Sequence, residues 1–404
     1  MTDRIVIAGA GHAAGQVIAT LRQEKFGGQI VLIGDEPYLP YQRPPLSKKF
    51  LAGEMPAERL FLKPAGYYDD PQIELRLDTT IMAINTGTKT VSCENDDAVA
   101  YDKLILALGS RARTLAVDGV QLEQVHYLRS IADVESIRAG LESGRRLVIV
   151  GGGYIGLEVA AVARSLGLDV TVVEMADRVM SRVVSPEISD FFQLEHTSRG
   201  VRFRLSTRVK AFAGKKRLKS VVIDDGEELR ADLVVIGAGI LPNVELARHG
   251  GLEIADGIVV DDRCRTSDPD VYAVGDCTVH PNGIYGRQIR LESVHNALEQ
   301  AKTAARNICG KETHYCEVPW FWSDQFDLKL QIAGLSKGYD DIVIRGNPAD
   351  RSFACLYLRE GRLLAVDAVN SPKDFMQSKP LIAAGAVIPK QRLSDTDVSL
   401  KELG

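Results

Sequence analysis

Two glycine clusters carry the densest chemistry in this chain. Gly9 and Gly11 stand in IVIAGAGHAAGQ, and Gly151, Gly153 and Gly156 stand in LVIVGGGYIGLE. Each cluster falls where an apolar run ends and a helical pattern begins. Glycines placed so let a diphosphate approach a helix N-terminus, whose unpaired N–H groups and dipole favour negative charge. His12, Ala13 and Ala14 are the candidate amides after the first cluster, and Tyr154 and Ile155 are candidate contacts in the second. Acids follow at the end of the next apolar run, Asp35 and Glu36 in the first case and Glu174 in the second. A carboxylate there can accept from the ribose hydroxyls of a dinucleotide. Glu174 would repel a 2′-phosphate, which favours NADH over NADPH. Arg178 and Arg182 lie four and eight residues beyond Glu174 and are expected to be solvated rather than phosphate-binding.

Two dinucleotide sites on one chain suggest a cofactor that stays and one that comes and goes. Gly275-Asp276 is the clue to the resident one, because an Asp in such a turn can bind the ribityl hydroxyls of a flavin. The helix beginning at Ser293-Val294 could then aim its first amides at the flavin N1/O2 edge, where negative charge develops on reduction. Glu158, two residues past Gly156, is an acid inside an otherwise apolar helix start. Packing explains it poorly, although a core carboxylate paired only with a lysine would also account for it.

The elements that must position these residues are legible from periodicity. Ile5 to Ala8, a helix from Gln16 to Lys25 stopped by Gly27-Gly28, and Ile30 to Ile33 form one βαβ unit. Leu147 to Val150, Tyr154 to Leu166 and Val170 to Val173 form a second, with Gly167 as its helix C-cap. Lys103 to Ala107 and Leu233 to Ile236 read as returning strands whose glycine turns place Ala107, Gly109 and Gly237 near the two sites. A helix from Ser293, with Ala297, Ala301, Ala304 and Ile308 on one face, should stop at Gly310. Beyond Pro319 the strands Lys329 to Ala333, Asp341 to Arg345, Ser352 to Arg359 and Arg362 to Val369 suggest a separate α+β module.

Composition sets outer limits. A chain of 404 residues, at roughly 150 per domain, makes two or three domains. A formal charge of −5 gives no global basic field for nucleic acid, and KKRLK (Lys215 to Lys219) reads as a solvated hairpin turn. Six cysteines without a C-x-x-C pair suit a reducing cytoplasm, and no signal peptide, membrane segment or histidine metal site is expected.

The blocks PPLSK (Pro44 to Lys48), YLRS (Tyr127 to Ser130), GGGYIGLEVA, TSDPDVYAVGDC, ESVHNALEQA and WFWSDQ (Trp320 to Gln325) make the chain resemble the FAD-dependent ferredoxin reductases of bacterial oxygenase systems. These are the putidaredoxin-reductase and biphenyl-dioxygenase-reductase kind, within the pyridine-nucleotide disulfide oxidoreductase superfamily. The resemblance implies an α/β fold of glutathione-reductase type, with two Rossmann-like three-layer domains and a C-terminal α+β domain. Residues 1–112 and 244–318 would bind FAD, 113–243 would bind NADH, and 319–404 would form the last domain. It implies FAD contacts at Ala13, Asp35, Arg43, Lys48, Ile81, Arg129, Asp276 and Val294, with Trp322 beside the isoalloxazine. Lys48, near flavin N5, would pair with Glu158, giving Lys48, Glu158 and Trp322 as the catalytic candidates. Hydride would pass from NADH to FAD, and single electrons to a two-iron two-sulfur ferredoxin serving a haem monooxygenase or Rieske dioxygenase. Arg43, Lys329 and Lys373 are candidate docking residues, and a monomer is expected. The first helix region lacks the redox cysteine pair of the disulfide enzymes, and the stretch Tyr38 to Leu51 lacks the redox cysteine of the peroxide-reducing oxidases. Rivals are a rubredoxin reductase, an NADH oxidase, and a flavin-based NADH sensor resembling apoptosis-inducing factor.

Overall fold

A computed structural model describes residues 4–94 and 97–403. The chain divides into two units, one of residues 1–43, 58–111 and 241–319, the other of residues 44–57, 112–240 and 320–404.

The first unit is built on a parallel sheet in the order Val271–Ala273, Lys103–Leu106, Arg4–Ala8, Gln29–Ile33, Ile73–Arg76. Its central strands read as unbroken apolar runs because both faces are covered. Ile5, Ile7, Ile30 and Leu32 pack against the helices His12–Gln23 and Val294–Ile308. Val6, Ala8, Val31 and Ile33 turn to the other face and meet Ile84, Val91 and Val99 of a small antiparallel sheet. The period of two along each strand thus makes three layers.

The second unit repeats the plan. Its parallel sheet runs Arg202–Arg204, Asp169–Val173, Arg146–Val150, Leu233–Ile236, Val125–Tyr127. Val148, Val150 and Val173 pack on Phe212, Val221 and Ile223 of a three-stranded antiparallel layer. The same unit holds a five-stranded antiparallel sheet, in the order Trp320–Gln325, Leu328–Gly334, Arg362–Val369, Ser352–Arg359, Asp341–Asn347, with the helix Pro372–Ala384 against it.

Most expected elements are present, and the differences have local causes. The first helix starts at His12, not Gln16, because Gly11 in extended conformation leads directly into it. It ends at Gln23, and the chain leaves through Lys25 at φ +59°, before Gly27-Gly28 is reached. Trp320–Gln325 is a strand that the sequence reading did not place. Ser293 caps its helix as expected by accepting the Asn296 N–H at 3.1 Å. Lys215, Lys216 and Arg217 of the basic run form the exposed connection between Val209–Gly214 and Leu218–Ile223, and its last two residues begin the second of these strands.

Candidate functional site

In the first unit Gly9 has φ +105°, and a Cβ there would lie 2.3 Å from the Ala107 carbonyl oxygen, so only glycine fits. Its N–H donates to Ile33 O at 2.7 Å, tying the turn to the end of the neighbouring strand. Gly11 is the opposite case: nothing lies within 4 Å of the place where its Cβ would be. The helix that follows has no side-chain cap and no acid in its first turn. An open cradle at an uncapped helix start fits a diphosphate and leaves no room for doubt about sign: the end is positive.

The second unit repeats this geometry. Gly151 has φ +109°, its Cβ would lie 2.5 Å from Gly237 O, and its N–H donates to Val173 O at 2.8 Å. Gly153 caps the helix Tyr154–Ser165 with nothing within 4 Å of its Cβ position, and again there is neither side-chain cap nor first-turn acid. Gly156 lets helix and turn touch, since its Cβ would meet Gly151 O at 2.1 Å. The Tyr154 ring packs on Phe321 at 4.8 Å, and Ile155 is exposed.

The acids differ in what they hold. Glu174 accepts the Gly152 N–H at 2.6 Å and the Ala176 N–H at 2.8 Å, which fixes the carboxylate at the strand end. Glu36 instead accepts from the Tyr41 hydroxyl and from Arg43, each at 2.7 Å, while Asp35 is exposed. Asp35 is thus the exposed carboxylate at this strand end, and Glu36 is the one that braces Arg43. Arg43 donates to both Glu36 and the Tyr41 hydroxyl, so its guanidinium is held in that triangle. Arg178 is not solvated as expected: it donates to the carbonyls of Val184 and Ser181 at 2.9 and 2.8 Å and ties its own loop.

At the Gly275-Asp276 turn, Gly275 has φ +86° and donates to Gln300 Oε1 at 2.7 Å, and Asp276 accepts from Ser110 at 2.8 Å. Gln300 is fully buried and also receives Thr278 and Asn296. The sequence reading missed it; a Gln on the alanine face of a helix was the available signal. Ile81 and Leu108 are half-buried against one core cluster, Gly109 has φ +60°, Val294 opens its helix, and the Arg129 N–H donates to Asp133 at 2.9 Å.

Lys48 and Glu158 meet, as expected, at 2.7 Å. Both belong to the second unit. The carboxylate is 2% exposed, and a buried charge of this kind needs its lone pairs satisfied. Two donors that sequence reasoning missed do this: Ser47 reaches Oε2 and Ser323 reaches Oε1 at 2.7 Å. Removing one partner from such a pair costs about 3–5 kcal/mol. Ser323 and Phe321 share the strand face turned to the helix Tyr154–Ser165, whereas Trp320 and Trp322 stack at 5.5 Å on the other.

The chain matches the model "Pyridine nucleotide-disulphide oxidoreductase" over residues 3–301 and "Reductase C-terminal" over residues 320–404. It is 44% identical to rhodocoxin reductase of Rhodococcus erythropolis, over 98% of this chain and 93% of that one. It is 43% identical to the 5,5'-dehydrodivanillate O-demethylase ferredoxin reductase subunit of a Sphingobium species, over 98% and 97%. A crystal structure of a covalent putidaredoxin reductase–putidaredoxin complex superposes with TM-score 0.96 at 42% identity, covering 99% of this chain and 98% of that one. The architecture is the expected glutathione-reductase-like one, and FAD and NAD(P)H are the groups it uses. The repeated glycine lock and the match along nearly the whole chain lead to one conclusion: this protein belongs to the pyridine nucleotide-disulphide oxidoreductase family.

Proposed function

We propose that this protein is an NADH-dependent reductase that delivers single electrons to a two-iron two-sulfur ferredoxin, which in turn serves a haem monooxygenase or a Rieske dioxygenase. The observation that carries the reading is the duplication of one cradle in two units, Gly9 against Ala107 O and Gly151 against Gly237 O. The similarity to a ferredoxin reductase subunit and to a reductase crystallised with putidaredoxin supports a ferredoxin as acceptor. When bound, FAD supplies the conversion of a hydride into two single electrons, which a nicotinamide does not readily perform.

The residues of this chain bind, orient and balance charge. Gly9, Gly11 and the amides of His12, Ala13 and Ala14 take the FAD diphosphate, and Asp35 its adenosine ribose. Asp276, Ser293 and Val294, with Ala107, Gly109, Ile81, Arg43, Arg129 and Gly275, complete the flavin set. Gly151, Gly153, Tyr154, Ile155, Gly156 and Gly237 take the NADH diphosphate, and Glu174 its ribose. Lys48 would offer an N–H to flavin N5, Glu158 balances that ammonium, and Trp322 would be the ring beside the isoalloxazine. We assign residues 1–112 and 244–318 to FAD, 113–243 to NADH and 319–404 to the exit side. Six free thiols suit the cytoplasm, and no helix of the described residues is long and apolar enough to cross a membrane. A monomer is the proposed state.

The test is stopped-flow reduction by NADH or NADPH, followed by mixing with two-iron ferredoxins, a rubredoxin or air. Fast NADH reduction with fast discharge to a two-iron ferredoxin is expected. Fast reduction with every acceptor slow would move the protein to the sensor class.

A further inference from the structure

Glu158 is only the near end of a longer chain of buried polar groups. Ser323, its donor at 2.7 Å, is itself in contact with Gln325 Nε2 at 3.1 Å, and Gln325 Oε1 lies 2.9 Å from His196 Nε2. Ser323, Gln325 and His196 are all fully buried. They link the helix Pro186–Ser198, through the strand Trp320–Gln325, to the helix Tyr154–Ser165.

The chemistry of each group fixes the direction of the chain. A carboxylate paired with an ammonium only accepts, so Ser323 must give its one proton to Glu158. Toward Gln325 the hydroxyl can then only accept, which turns the Gln325 NH2 to Ser323 and its oxygen to His196. His196 must therefore carry a proton on Nε2. Its Nδ1 is buried without a hydrogen-bond partner, as a lone pair can be at lower cost than an N–H. The ring is wedged between Phe203 and Phe326, with centroids 6.3 and 4.9 Å away. Burial holds this imidazole down to about 4, so its neutral state persists through the physiological range.

We propose that His196, Gln325 and Ser323 are positioning residues: a one-directional hydrogen-bond relay that fixes the Glu158 carboxylate, and through it the Lys48 ammonium, for the hydride step. The inference rests on the role given above to Lys48 and Glu158. None of the three relay residues belongs to the proposed cofactor contacts, so the relay acts through Glu158 alone.

The experiment uses the FAD-loaded protein and two readouts. The first is the limiting rate of flavin bleaching by NADH, separated from the apparent Kd for NADH. Ser323→Ala is expected to lower the limiting rate roughly tenfold, the size of effect a slightly misplaced group produces, and to leave the Kd within about twofold. Ser323→Thr, which keeps the hydroxyl, should restore it. Gln325→Glu keeps the shape but presents Ser323 with a second acceptor, and should slow the step as Ser323→Ala does. The second readout is 15N NMR of the histidine rings, with the His196 signal assigned by its loss in His196→Gln; only the Nε2–H tautomer is expected.

Wild-type rates in both Ser323→Ala and Gln325→Glu would overturn the relay, as would a failure of Ser323→Thr to restore the rate. An Nδ1–H tautomer would reverse the direction and overturn it too. If Glu158→Gln itself reduces flavin at the wild-type rate, the role of Glu158 falls and the relay with it. A slow Glu158→Gln beside unaffected Ser323 and Gln325 variants removes the relay alone.

Discussion

Glu174 is the residue at which we propose that structure and cofactor selectivity meet. Its two oxygens are held by the amides of Gly152 and Ala176, so the negative charge is fixed at the strand end before any ribose arrives. A 2′-phosphate placed there meets that charge at short range, and Arg178 cannot compensate, because its guanidinium is bound to Ser181 and Val184 carbonyls. Glu174→Gln keeps an acceptor and loses the charge. The expected result is a fall of roughly tenfold in the preference of kcat/KM for NADH over NADPH, equivalent to about 1.4 kcal/mol of repulsion. An unchanged ratio would show that discrimination lies elsewhere. The placing of the Glu174 carboxylate at the strand end was legible in the sequence, as was the Lys48–Glu158 pair. Ser47 and Ser323 were not, because a serine has no signature of its own until the fold brings it to a charge.

Elements were legible where one physical signal dominated. The helix Val294–Ile308 announced itself through a serine cap, an alanine face and a glycine stop, and all three are in place. The strand Trp320–Gln325 hid because its pattern is inverted: the large Trp320 and Trp322 are on the less buried face, while Ser323 and Gln325 are buried by hydrogen bonding. The neighbouring strands hold a second buried acid. Asp367 is fully enclosed and accepts from Tyr357 at 2.5 Å, and burial pushes its carboxyl up to about 7. In the unfolded chain the group titrates near 3.8, so between those values the native state binds the extra proton. Stability from this site is therefore present below about pH 4 and lost as pH rises toward 7. His196 and His280, both held down to about 4 by burial, work in the opposite sense: their contribution is lost as pH falls from 6.5 toward 4. Asp367→Asn should raise the thermal midpoint at neutral pH and change it little near pH 4. With the opposing carboxyl gone, stability should rise more steeply with pH between 4 and 6.5. Midpoints measured by calorimetry across that range check both signs, and equal gains at the two ends would refute the assignment.

At the scale of the whole molecule, the same glycine lock occurs twice, and a function with one resident and one exchanging cofactor requires the two copies to fail differently. Each lock is a backbone contact that no methyl group can enter: the added carbon would lie 2.3 Å from Ala107 O at Gly9 and 2.5 Å from Gly237 O at Gly151, both at positive φ. The neighbours are main-chain carbonyls at the ends of core strands, so relaxation is costly, and the strained backbone adds about 1–3 kcal/mol. Sequence alone showed the duplication, since the spacing of Gly9 and Gly11 and of Gly151, Gly153 and Gly156 is a local property. It could not show which carbonyl each glycine faces, because Ala107 and Gly237 follow strands that lie far along the chain from Gly9 and Gly151. Gly9→Ala should purify with little or no flavin. Gly151→Ala should purify yellow, fail to bleach with NADH, and still reduce a two-iron ferredoxin once its flavin has been reduced chemically. Flavin content by absorbance and ferredoxin reduction after dithionite titration decide the matter. If Gly151→Ala lost its flavin and Gly9→Ala kept it, the assignment of the two cradles would be reversed; if Gly151→Ala were fully reducible by NADH, the second cradle would not be the nicotinamide site.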